Sequence, residues 1–61
     1  MTYEDAIKKC TCGDTVWYTD NDGKDHEVKI TAITQRGEAL VAFYGADRFD
    51  WVSVNELEYA L

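Results

Sequence analysis

Thr15-Val16-Trp17-Tyr18-Thr19 is followed by Asn21-Asp22-Gly23 and then by His26-Glu27-Val28-Lys29-Ile30-Thr31-Ala32, and together these residues spell a β-hairpin. Val, Trp, Tyr and Thr suit a pleated, half-buried surface. Asp and Gly accept the positive φ that a tight turn demands. In the second strand, taken from His26 to Thr34, Val28, Ile30 and Ala32 alternate with Glu27, Lys29 and Thr31. That pattern gives one buried and one wet face, and Ile33 breaks it, which marks a bulge.

The same pattern continues outward. Gln35-Arg36-Gly37-Glu38 reads as a second turn, Ala39 to Tyr44 as a third strand, Gly45-Ala46-Asp47-Arg48 as a third turn and Phe49 to Val54 as a fourth strand. Upstream, Thr2-Tyr3-Glu4-Asp5 has the spacing of a helix start, and Tyr3, Ala6, Ile7 and Cys10 recur at helical spacing until Gly13 lets the chain turn away. Downstream, Asn55 is positioned to cap a closing helical turn, Glu56 to Leu61, with Leu57 and Leu61 four residues apart. Short strands about ten residues apart, without proline, predict a mainly β fold: a small barrel of four to five antiparallel strands. Residues 1–12 form its N-terminal helix and residues 13–61 the barrel, in a single domain. At 61 residues the core is thin, since a chain of this size buries only about 60% of its unfolded surface.

The residues also carry a resemblance. Gly13-Asp14-Thr15-Val16, Asp22-Gly23 before Val28-x-Ile30-x-x-Ile33, Val41-x-Phe43, and a closing Val54-Asn55-Glu56-Leu57 resemble a Tudor domain of the SH3-like barrel superfamily. The resemblance covers residues 13 to 57. It implies a module that recognises methylated arginine or lysine in an aromatic cage, built from Tyr18, His26, Phe43 or Tyr44, and Phe49. His26 stands where the family commonly has an aromatic ring, and Gly45-Ala46-Asp47 replaces the family's Tyr-Gly-Asn.

Charge narrows the partner. Twelve acidic against six basic side chains leave a net charge of −6, which disfavours direct contact with nucleic-acid phosphates or an anionic membrane. Half of that excess lies in residues 20–27, where Asp20, Asp22, Asp25 and Glu27 face Lys24, and half in residues 47–58, where Asp47, Asp50, Glu56 and Glu58 face Arg48. The first and third turns of a meander share one end, so these acids should form a rim that attracts Arg or Lys, unless they serve only hairpin geometry.

Eight aromatic residues exceed what so small a core hides. Neighbours on a strand face opposite ways, so Trp17 with Tyr18, and Phe43 with Tyr44, each send one ring outward. Phe49 and Trp51 share a face. Either the N-terminal helix, through Tyr3 and Ile7, covers the outer rings, or the rings form an exposed binding surface.

Catalysis finds little to work with in one His, two Cys and no phosphate-binding glycine loop, so no enzymatic activity is expected. Cys10-Thr11-Cys12 has the wrong spacing for zinc, and the Asp20–Asp25 loop lacks the register of a calcium site, so no metal or cofactor is expected. No apolar run nears the roughly 20 residues of a membrane span, and Glu4 and Asp5 stand where a signal peptide carries positive charge, so a cytoplasmic location is expected. The leading expectation is a non-catalytic module binding an Arg/Lys-rich protein segment through Tyr18, Asp20, Asp22, His26, Tyr44, Asp47, Phe49 and Trp51. Two alternatives stay open. One is a small acidic inhibitor, of the size and charge phages often encode, that mimics nucleic acid and blocks a DNA- or RNA-binding protein. The other is a homodimer that buries the outer rings.

Overall fold

The computed structural model describes residues 1–59. Helix α1 (Tyr3–Cys12) is followed by strands β1 (Thr15–Thr19), β2 (Asp25–Ile33), β3 (Glu38–Phe43) and β4 (Phe49–Ser53), a 3₁₀ turn (Val54–Glu56) and strand β5 (Leu57–Tyr59). The strands form one antiparallel sheet in the order β4-β3-β2-β1-β5. It curls around the core but is not closed, and β4 and β5 are its edges. Among the described residues no helix is long and apolar enough to cross a membrane.

Local chemistry explains the elements. Thr2 caps α1 by accepting from the Asp5 backbone N–H at 3.2 Å, and Glu4 and Asp5 in the first turn complement the helix dipole. Gly13 ends the helix at φ 76°, its N–H donating to the Lys9 carbonyl. In the first hairpin the Asp20 carboxylate accepts from the backbone N–H groups of Asp22 and Lys24, both at 2.9 Å, and Gly23 takes φ 81°. A Cβ at Gly23 would meet no atom within 4 Å, so substitution there tests backbone conformation alone. Gly23→Val should cost about 1–2 kcal/mol in a denaturant melt, and an unchanged midpoint would mean that the turn does not depend on positive φ.

The inner face of the sheet carries Val16, Val28, Ile30, Val41, Phe43, Val52 and Leu57, joined by Ala6, Ala39 and Val54 in one core. The broken alternation in β2 is a bulge, but it falls at Thr31, two residues before Ile33: Ile30 pairs with Val41 and Ala32 already with Leu40. The Thr31 hydroxyl donates to the Leu40 carbonyl at 3.0 Å. Beyond the bulge the faces exchange, so Ile33, opposite Ala39, packs against the core.

Two expectations are corrected. The closing helical turn is replaced by a single 3₁₀ turn, capped by Ser53 rather than Asn55 in a reciprocal arrangement with Glu56, and then by β5. Leu57 pairs with Tyr18 and Tyr59 with Val16, because a short strand on β1 buries Leu57 completely. Ala60 and Leu61, the rest of the expected turn, lie outside the described residues. The second correction concerns α1. It touches the core through Ala6 and Cys10, with Met1 packed there just ahead of the helix, and leaves Tyr3 and Ile7 exposed, so these two do not roof the outer rings. At 100° per residue Ala6 and Cys10 lie nearly in line, and the small Ala6 lets the helix approach closely. The Met1 amino group donates to the Leu57 carbonyl at 3.0 Å, linking the start of the helix to β5.

Candidate functional site

At the open end of the inner face three rings converge. Tyr18 and His26 are direct partners across β1 and β2, and Phe43 follows from β3, paired with Val28. The His26 ring is 6.1 Å from Tyr18 in a stacked arrangement and 5.3 Å from Phe43 edge-on, and Tyr18 meets Phe43 edge-on at 6.0 Å. Of the cage residues implied by the Tudor resemblance, these three are together. Phe49 departs, because it pairs with Ala42 on the outer face, and Tyr44 stands 76% exposed in the third turn.

The chain's own Arg48 lies against this cluster. Its guanidinium lies 4.2 Å over the Phe43 ring, and its Nε and Nη2 donate to Asp50 Oδ2 at 3.0 and 2.7 Å. Strand alternation accounts for this, since residues 48 and 50 point to the same side. That spacing was legible in the sequence, but Arg48 entered there only as a turn residue and as the one base set against the acids of residues 47–58.

The acidic rim is divided by its partners. Asp20 Oδ2 lies 2.8 Å from His26 Nε2, and an ionised carboxylate only accepts, so Nε2 carries the proton. The His26 ring, with the Lys24 and Asp22 backbone N–H groups, holds the Asp20 carboxyl below its usual range against the effect of burial. Asp20 is therefore a builder of the hairpin more than a free rim charge. Burial first, then the charges of Glu56, Asp20 and Asp50, push the Tyr18 hydroxyl up, against the opposing charge of Arg48. Asp22 and Asp47 are exposed in the first and third turns.

The Asp20 shift has a defined sign. A carboxyl whose folded value lies below the ordinary 3.8 contributes stability that is present above pH 3.8 and lost as pH falls through the lower folded value. Carboxyl NMR should place the Asp20 midpoint below 3.8, and Asp20→Asn should be less stable than wild type at neutral pH but not in strong acid. A midpoint at or above 3.8 would remove the His26 contact from the account.

On the outer face, Trp51 pairs with Leu40 and Phe49 with Ala42, making a continuous apolar surface on β3 and β4. Phe49 is 57% and Trp51 54% exposed, while Val52 and Val54 point into the core. Leu40 and Ala42 were not singled out in the sequence; their alternation with Ala39, Val41 and Phe43 was the available signal. β4 also presents a free backbone edge. At the two ends of the β3–β4 pair the Phe43 N–H donates to the Arg48 carbonyl and the Val54 N–H donates to the Gly37 carbonyl. The antiparallel ladder then alternates, so the N–H and C=O groups of Phe49 and Trp51 point away from β3, whereas the outward Ser53 N–H donates to Glu56 Oε1 at 3.3 Å. No family model, curated protein or solved structure matches this chain.

Proposed function

We propose that this protein is a small binding module, without catalytic activity, whose acidic and aromatic surface engages a basic protein segment. The observation that carries the reading is the outer face of β4, where Phe49 and Trp51 remain more than half exposed beside Leu40 and Ala42 on an edge strand. Large rings left in water forfeit burial that a partner can restore, and aromatic anchors dominate binding surfaces. The net charge of −6 selects a partner rich in Arg or Lys.

The course of the chain supports an SH3-like barrel of Tudor kind. A four-stranded meander is followed by a 3₁₀ turn and a fifth strand that returns to β1. Arg48 already covers Phe43 in the cage, so the outer face is the surface assigned first. Large rings left exposed on β4 favour a reader of cationic side chains over a nucleic-acid mimic, which needs acids in extended rows. A cytoplasmic setting agrees with two free thiols, one of them, Cys12, exposed. The test is capture of partners from the native cell by wild type and Trp51→Ala side by side, followed by titration with an Arg/Lys-rich peptide from the captured partner. If no partner depends on the Trp51 ring, the reading loses its main support.

A further inference from the structure

A second ring stands apart from β4. Trp17, at the middle of β1, pairs with Glu27 on β2 and with Glu58 on β5, so the indole lies on the outer face between two carboxylates, one strand away on either side. Asp25, two residues before Glu27, is on the same face and accepts from the Thr19 hydroxyl at 2.6 Å. Above these residues is an open cavity of about 550 Å³ lined by Trp17, Asp25, Glu58 and Tyr59. The indole is 38% exposed.

We infer that this cavity is a binding site for a single guanidinium or ammonium side chain, seated on the Trp17 indole and paired with Glu58 and Glu27. The indole face attracts a cation more strongly than any other aromatic side chain, and the flanking carboxylates exclude anions. Among the described residues no basic side chain lines the cavity. Among the described residues the ion pairs are Lys9 with Asp14, His26 with Asp20 and Arg48 with Asp50, and none includes Asp25, Glu27 or Glu58. Lys29, the basic neighbour on the same face of β2, lies against Gly13 at the other end of the strand. Lys9 lies over the Tyr59 ring, 5.5 Å from its centroid. Strand pairing fixes the backbone positions of Glu27 and Glu58 on either side of Trp17. The site is on the opposite face from the Tyr18-His26-Phe43 cluster and does not depend on the β4 surface.

The two indole N–H signals of Trp17 and Trp51 report the two surfaces separately in a proton–nitrogen NMR spectrum, once assigned with a Trp51→Phe variant. The probe is the peptide acetyl-Gly-Ser-Arg-Ser-Gly-amide, with its citrulline counterpart as the neutral isostere. The Trp17 signal should move saturably with the arginine peptide, at least about fivefold more weakly with the citrulline peptide, and at least about fivefold more weakly in a Glu27→Gln/Glu58→Gln variant. Both side chains project from the outer face, so that variant should melt close to wild type. A Trp17 signal that stays still, that moves equally with citrulline, or that moves equally in the double variant would overturn the site. A shift confined to Trp51 would also overturn it while leaving the β4 reading intact.

Discussion

Leu57→Ala is expected to be the most damaging single truncation at the C-terminal end of the chain. Leu57 is completely buried, pairs with Tyr18 and receives the Met1 amino group on its carbonyl, so it secures β5 and the start of α1 at once. Removing a buried leucine side chain costs about 2–5 kcal/mol. In a domain this small each kcal/mol lowers the melting temperature by roughly 4–8 °C, so a fall of at least about 10 °C should appear in a thermal melt. Glu58→Ala, one residue on and exposed, should change stability by no more than about 0.5 kcal/mol. Comparable small losses at both positions would mean that residues 57–59 do not form a strand on β1, since a surface helical turn would tolerate both changes.

Trp51→Ala should leave the fold nearly intact and weaken partner binding at least about 30-fold, the effect of losing an aromatic anchor worth about 2 kcal/mol or more. The fold survives because Trp51 and Phe49 project from the outer face while Val52 and Val54 make the core contacts of this segment. The loss should show mainly as faster dissociation. Charge should act on the other rate. Asp22→Asn with Asp47→Asn removes two exposed turn charges without touching the His26-bound Asp20, and should slow association at low salt while flattening its salt dependence. Surface-based kinetics with the captured partner separates the two. Wild-type dissociation from Trp51→Ala would remove β4 as the anchor, and unchanged association of the Asn pair would assign those acids to hairpin chemistry alone.

Much of this protein was legible without its structure because the signals are local. A positive-φ glycine beside Asp22, a capping Thr2 and period-two alternation each act within a few residues, and they placed α1, the first hairpin and the sidedness of Trp17 against Tyr18 and Phe43 against Tyr44. The bulge was visible as a break at Ile33, but its position at Thr31 depends on which residues of β3 lie opposite.

Tertiary structure decided the rest, and always through pairs far apart in sequence. Asn55 and the four-residue spacing of Leu57 and Leu61 favour a helical turn locally; pairing with β1, some forty residues earlier, overrides that preference because it completes the backbone hydrogen bonds of β1 and buries Leu57. The cage residues Tyr18, His26 and Phe43 could be nominated from strand positions, yet only the packed sheet sets Arg48 over Phe43 and sends Phe49 to the other face. Glu27 and Glu58 read as ordinary surface acids along the chain. They become the two walls beside Trp17 only because β1 lies between β2 and β5, and register across a sheet is a property of the pairing, not of any one strand.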